Sequence, residues 1–252
     1  MIDPRRIAIY IAGDSKIFFP ALVAFDSIQK HNRHLPFDYY MVFEGEGLTP
    51  QMKRSLLQRD IEFIDTAELE EHGTVDDLPV MGENRWPKHV FYNWLVPLKL
   101  HAADYKYAIK ADYDLLCVGP YDLDDVQNPG NTIAALEFEV DLPAEGVKAE
   151  HLQDLVNPKR ASYYNAGFVA INLDRYMAAD TFGQFKTVYG QIHTDGNKVI
   201  NAEQAALSIV AARDSTPIKR LDASYNQRIV FPPRIDDEGH PIIRNIHYLS
   251  AK

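Results

Sequence analysis

The sequence predicts an α/β protein in which a mostly parallel central sheet is flanked by helices, and three observations carry that expectation. Residues 6–12 form an unbroken apolar run of strand length, as a strand buried on both faces of a parallel sheet requires. From there to Ile64 the pattern alternates strand, helix, strand, helix, strand, the order that right-handed crossover connections produce. Residues 106–118 then form a mostly apolar strand ending in two carboxylates, Asp112 and Asp114, and a strand end is where an open α/β sheet places its ligand.

The first strand stops at Gly13-Asp14-Ser15, and residues 20–31 carry Leu22, Val23, Phe25 and Ile28 on a helical face with Pro20 near its start. Residues 37–43 are a second strand, Thr49-Pro50 opens a helix to about Gln58, and residues 61–64 are a short third strand. Residues 66–86 are polar, hold Gly73, Pro79 and Gly82, and read as an irregular connection. Residues 87–104 are helical by spacing, with Phe91, Trp94, Leu95, Leu98 and Ala102 along one side and a kink expected at Pro97. The two tryptophans, Trp86 and Trp94, are expected in the core rather than stacked on a ligand. After the acidic strand end come a turn at Pro120, a strand over 132–138, and a loop over 139–161 with one short helix near 150–156. A long strand covers 163–173, a helix runs from Asp174 to about Gln191, and another covers 202–212. Beyond it Pro217, Pro232, Pro233 and Pro241 permit only short strands, the last at 242–248. No repeat, low-complexity tract or linker interrupts the pattern, so a single domain over residues 1–252 is expected.

A chain of 252 residues can bury a substantial core, and 46% hydrophobic with 25% charged residues is an ordinary globular composition. The formal net charge of −10 argues against a general nucleic-acid binder and against a basic membrane-docking surface. No apolar run approaches the roughly 20 residues of a membrane span, and Met1-Ile-Asp-Pro-Arg-Arg leads into a strand without a signal-like apolar region. The one cysteine, Cys117, has no internal partner and lies in an apolar run, which makes it a core residue rather than a nucleophile. A cytoplasmic, reducing compartment is expected, with no membrane insertion.

Asp112 and Asp114 lie one residue apart in a turn, where both can reach one hard cation and where, without one, they would repel each other. Composition alone makes the pair unremarkable: 23 Asp residues give roughly two Asp-x-Asp triplets by chance, and Asp122-Leu-Asp124 is the other. Only the first follows an apolar strand, so a divalent metal holding a phosphorylated substrate is expected there. Asn165 and Gly167 interrupt another apolar strand. A strand glycine marks a close approach, and an asparagine there needs partners that a ligand or a neighbouring loop could supply. Asp14 suits either a ligand contact or a cap before the next helix, and Glu203 suits the first turn of a helix, where the dipole favours an acid.

In order and over most of the chain, these segments resemble the nucleotide-sugar-dependent glycosyltransferases of the GT-A fold, specifically glycosyltransferase family 8. The resemblance rests on Ala12-Gly13-Asp14 after the first strand, with Ser27-Ile28 in the helix that follows. It continues through Tyr92 to Pro97, Asp112-Tyr113-Asp114, Tyr164-Asn165-Ala-Gly167 in a strand ending Ile171-Asn-Leu173, Glu203-Gln204-Ala-Ala-Leu207 and Ile246-His247-Tyr248. It implies a single-domain, Rossmann-like GT-A fold whose nucleotide-binding part covers about residues 1–118 and whose donor-sugar and acceptor part covers about 119–252. It implies that Asp112, Asp114 and His247 hold Mn2+ or Mg2+. Ala12, Gly13, Asp14, Asn93, Tyr113, Gly167 and Glu137 would contact a nucleotide diphosphate sugar. Gln204, Glu203 and Asn165 would serve catalysis, Gln204 steadying positive charge at the reacting carbon and Glu203 holding a sugar hydroxyl. The glycosyl bond would form with retention, the leaving phosphate taking the acceptor's proton. Residues 74–86 would be a lid that excludes water.

Three departures stand out. Ile17 replaces a tyrosine usual near the nucleobase, and Asn93 replaces an arginine, which removes a fixed cation from the donor site. The closing His-x-x-Gly-x-x-Lys becomes His247-Tyr-Leu-Ser-Ala-Lys252, one residue short and without its glycine. Lys252 is therefore out of register for a diphosphate, and further domains or a membrane-associated partner beyond it stay open. The expected function is a metal-dependent retaining transfer of a hexose to a glycan hydroxyl, in surface polysaccharide or lipopolysaccharide synthesis. Two alternatives remain. A nucleotidyltransferase needs a glycine-rich, basic phosphate turn that Gly13-Asp14-Ser15-Lys16 matches poorly. A non-catalytic sugar-nucleotide binder is consistent with Ile17 and Asn93. Donor hydrolysis with and without manganese separates enzyme from binder, and pyrophosphate release would mark nucleotidyl transfer.

Overall fold

The computed structural model describes residues 6–75, 78, 89–127, 130–141, 147, 162–194, 201–213 and 218–248. The chain begins with β1 (Ile7–Ala12), α1 (Phe18–His31), β2 (Phe37–Phe43), α2 (Pro50–Leu57), β3 (Ile61–Asp65) and α3 (Thr66–Leu69). Next come α4 (His89–Ala102), β4 (Tyr107–Ala111), β5 (Leu115–Cys117), α5 (Leu123–Gln127), β6 (Ile133–Asp141) and β7 (Ser162–Asn172). The last third holds α6 (Leu173–Ala178), α7 (Thr181–Thr194), α8 (Ala202–Ala211) and β8 (Ile218–Arg220). Short strands β9 (Gln227–Arg228), β10 (Arg234–Ile235), β11 (Pro241–Ile242) and β12 (Asn245–His247) follow.

Among the described residues, seven strands form one sheet in the order β3-β2-β1-β4-β7-β6-β8. All its pairings are parallel except the two made by β7, which runs against both β4 and β6. Strand alternation sorts the side chains onto two faces. Ile7, Ile9, Ile11, Met41 and Ile109 face Phe18, Leu22, Phe25 and Ile28 of α1 in one core. Ala8, Tyr10, Val42 and Ala108 face the other way, into a core with Trp94 and Leu95 of α4, Tyr176 of α6 and Phe185 of α7. Lys110 shares the register of Ala108 and so enters this second core, where it is 2% exposed.

The single reversed strand has a consequence for chemistry. Because β7 is antiparallel to β4, with Ala111 opposite Phe168, its residues 165–167 lie just beyond the carboxyl end of β4. The Asp112 N–H donates to Gly167 O at 2.8 Å. A small separate sheet, β5-β12-β9, pairs His247 with Leu115, and the Tyr248 N–H donates to Asp114 O at 3.0 Å. Residues far apart in sequence are thus pinned by backbone bonds to the two sides of the Asp112–Asp114 turn.

Several sequence expectations are corrected. Val23 of α1 is 57% exposed, because positions 18, 21, 22, 25 and 28 form the buried stripe and 23 lies off it. Ala102 is exposed at the end of α4, whereas the first turns of that helix are buried nearly all round, Tyr92, Asn93 and Val96 included. A short helix, α3, occupies the start of the supposed irregular connection, closed by a capping box between Asp65 and Glu68. The helix expected from Asp174 to Gln191 is two helices. Asn172 caps the first, and Asp180 adopts a left-handed φ of 46° at the break, a conformation aspartate tolerates better than most residues. The last strand, expected over 242–248, is split between β11 and β12. Cys117 is buried in the core and Trp94 is fully buried, as expected. The short helix near 150–156, Trp86, Lys252 and most of the lid segment lie outside the described residues. No helix among the described residues is long and apolar enough to cross a membrane.

Candidate active site

A cavity of about 960 Å³ opens over the carboxyl ends of β1 and β4. That is the size of a substantial small-molecule site. The residues assigned from the sequence to metal, donor or catalysis line it: Ala12, Gly13 and Asp14 from the turn after β1, Asn93 from α4, and Asp112, Tyr113 and Asp114 from the turn after β4. Glu137 of β6, Asn165 and Gly167 of β7, Glu203 and Gln204 of α8, and His247 of β12 complete the set.

Asp112, Asp114 and His247 each offer a ligand atom within 4.8 Å of the others. His247 Nε2 lies 3.2 Å from Asp114 Oδ1 and 3.8 Å from Asp112 Oδ2. On the other side of the ring, Nδ1 is 2.7 Å from Asn226 Oδ1. An amide oxygen can only accept, so Nδ1 carries the proton and Nε2 keeps its lone pair for a cation. Two carboxylates with an imidazole so arranged are a donor set that suits manganese or magnesium, with manganese favoured by the imidazole.

The chain of amides continues. Asn226 Nδ2 donates to Asn165 Oδ1, and Asn165 Nδ2 donates to Gln204 Oε1 at 2.8 Å. Gly167 N also donates to Asn165 Oδ1 at 2.8 Å, and Ala166 N donates to Gln204 Oε1 at 3.3 Å. Backbone N–H groups cannot reverse, so these two bonds fix both amide orientations and the polarity of the whole run from His247 to Gln204. The Gln204 oxygen is thereby committed to β7, and any role for it beside a reacting carbon requires it to share these donors. Gly167 has a specific reason to be glycine. A Cβ there would sit 2.5 Å from His247 Cε1 and 2.7 Å from Asn165 Oδ1. The sequence points to a ligand against the Gly167 backbone; the space a Cβ would take is filled instead by these two side chains.

Glu203 is a partly exposed residue of the cavity wall, its Oε1 accepting from Trp94 Nε1 at 2.9 Å. Burial pushes its carboxyl up to about 7; the Lys110 charge and the Trp94 N–H pull it down, and Asp112 pushes it further up. Lys110 Nζ donates to Asp112 Oδ1 and to Ala166 O, both at 2.5 Å. Burial disfavours its charge, but Asp112, Glu203 and Asp114 outweigh that and hold the ammonium above its ordinary range. Burial, then the two flanking acids, raise the Tyr113 hydroxyl. Asn93 donates from Nδ2 to Val90 O, while its buried Oδ1 has no partner among the described residues. Asp14 caps the turn at Ser15–Ile17 by accepting from Lys16 N at 2.9 Å, and Glu137 pairs with Arg220 at 3.3 Å.

Sequence reasoning missed Lys110, Asn226, Arg220 and the Trp94–Glu203 bond. Lys110 carried a readable signal, a lone charge inside the apolar run that leads to Asp112. Asn226 carried none, because its partners, Asn165 and His247, come from two distant parts of the chain.

No protein-family model and no curated protein matches this sequence. Solved structures do match. The bifunctional glycosyltransferase WbbM, at 16% identity and a TM-score of 0.70, is matched by 100% of this chain, which spans 47% of that one. The galactosyltransferase LgtC, solved in complex with donor and acceptor sugar analogues, matches at 16% identity and a TM-score of 0.63 over 96% of this chain and 87% of its own. LgtC has also been solved as an active-site mutant with glutamate in place of a glutamine. Mouse xyloside xylosyltransferase 1 matches at 13% identity and a TM-score of 0.65, over 97% of this chain and 98% of its own. The fold that positions this cavity is therefore the GT-A fold, shared with these glycosyltransferases.

Proposed function

We infer that this protein is a metal-dependent glycosyltransferase that moves a hexose from a nucleotide diphosphate sugar to a hydroxyl of a glycan. The observation that carries the reading is the convergence of Asp112, Asp114 and His247 within 4.8 Å on a cavity wall shared with Gln204 and Asn165. A divalent ion held by those three residues would supply Lewis-acid neutralisation of the leaving diphosphate. In the transfer, the bond from the anomeric carbon to the β-phosphate oxygen breaks and the electron pair leaves with the nucleoside diphosphate. The acceptor oxygen bonds to the same carbon on the face from which the diphosphate departs, so that configuration is retained, and its proton passes to the departing phosphate.

The chain's own residues prepare that step. Asn226 holds the imidazole of His247 in the tautomer that presents Nε2. Asn165 and the Ala166 N–H set the Gln204 amide, which lines the cavity and would face the donor sugar there. Asn93 lines the cavity and would contact the donor there. Gly13 and Asp14, at the end of β1, would take the nucleoside. An acceptor in surface polysaccharide or lipopolysaccharide synthesis is the setting most compatible with the resemblance.

The test is a thermal-shift screen of nucleotide sugars with and without manganese, because a donor bound to the folded state raises its stability by mass action. One donor should raise the melting temperature only with the metal, and Asp114→Ala should abolish that rise while the unliganded protein melts near the parent. A variant that retains the manganese-dependent rise removes Asp114 from the metal site. Anomeric NMR of the first-formed product tests retention.

A further inference from the structure

Lys110 is a cation built into the acidic end of β4. It is buried, it spans Asp112 Oδ1 and Ala166 O with two of its three N–H groups, and it lines the cavity. A side chain needed only to satisfy the Ala166 carbonyl could be neutral, and a strand position buried among apolar residues favours a neutral one. Here the ammonium instead occupies one oxygen of a residue that would ligate a divalent ion.

We propose that Lys110 makes metal loading depend on the nucleotide: its charge keeps the Asp112–Asp114–His247 site weak when empty of donor, and the diphosphate restores the negative charge that binding requires. The proposal rests on the metal-dependent reading above. The charge count gives the reason. Asp112 and Asp114 bring two negative charges to the site, and Lys110 cancels one at hydrogen-bond distance. Affinity of an oxygen-rich site for a hard cation follows its ligand charge. Asp112 is also left with Oδ2 as its unshared oxygen, the one that faces His247 Nε2 at 3.8 Å. A nucleoside diphosphate entering beside the turn adds more than the missing charge. Coupling of this kind is reciprocal, so the metal strengthens donor binding by the same factor that the donor strengthens metal binding. A site so arranged holds an ion weakly until the donor is bound.

The experiment measures manganese affinity by electron paramagnetic resonance, for the parent, Lys110→Met and Lys110→Gln, each with no nucleotide, with UDP and with GDP. The parent should bind manganese at least tenfold more tightly with one nucleotide than without. In Lys110→Met the affinity without nucleotide should rise at least tenfold and the gain from nucleotide should shrink. Lys110→Gln, which keeps an N–H for Ala166 O, should behave like Lys110→Met and guards against a failure to fold. A parent with no gain from either nucleotide, or folded variants that bind bare manganese no more tightly than the parent, overturns the role of Lys110 and leaves the metal site standing. A parent that binds manganese under none of the three conditions overturns the metal site itself, and the proposal with it.

Discussion

His247 Nδ1 stands 2.7 Å from Asn226 Oδ1, and that one bond decides which nitrogen of the ring faces Asp112 and Asp114. Without it the imidazole can turn its protonated nitrogen towards the acids, where it would donate to Asp114 instead of ligating. Partners that orient a ligating histidine are worth roughly 10- to 100-fold in metal affinity. Asn226→Ala should therefore weaken manganese binding by roughly that factor in the presence of nucleotide. Asn226→Asp still accepts from Nδ1–H and should lose less metal affinity, while its second oxygen, set against Asn165 Oδ1, should lower stability. Isothermal titration of both variants checks the order, and equal affinities would remove Asn226 from the control of His247.

Gly167 is a place where one methyl group separates a competent site from a blocked one. Its added Cβ would meet His247 Cε1 at 2.5 Å and Nδ1 at 3.0 Å, and His247 is only 2% exposed and held at that same Nδ1 by Asn226. Overpacking of a filled interior costs about 1–3 kcal/mol. Gly167→Ala should lower stability within that range, and it should weaken manganese binding as well, because the ring is what has to move. Chemical denaturation and metal titration of the same variant separate the two effects. A destabilised protein with unchanged metal affinity would mean that the strand moved instead.

How much of this could be read in the sequence depends on whether the signal was local. β1 to β3 and the helices between them were legible because each carries its own period and its own punctuation, such as Thr49-Pro50 before α2. The break between α6 and α7 was not, since Asp180 takes a left-handed backbone usually left to glycine. Asp112 and Asp114 stood out because an apolar strand leads into them, and His247 entered through a family resemblance alone. Asn226 is the opposite case: its partners, Asn165 and His247, are 61 and 21 residues away, and it belongs to a 3-10 turn with no apolar period. Lys110 lay in plain view as a charge in an apolar strand, but its meaning depends on Ala166, which only the reversed direction of β7 brings beside it.

Glu203 makes a prediction about pH in the metal-free protein. Its carboxyl titrates at about 7 when folded against 4.5 for an ordinary glutamate, chiefly because it is buried. Below pH 4.5 it is protonated in both the folded and unfolded chain, and its full favourable contribution is present. Between 4.5 and about 7 the unfolded chain ionises first, so the folded state loses ground as pH rises. The limit of that loss is about 3 kcal/mol. Glu203→Gln cannot titrate, so the stability of the parent relative to this variant should fall across pH 4.5–7 and flatten above. Trp94→Phe removes the N–H that favours the ionised form and should carry the fall on to higher pH. Urea unfolding at intervals across that range provides the comparison, and a parent-minus-variant difference that does not move with pH would mean the carboxyl is as well solvated in the folded protein as in the unfolded one.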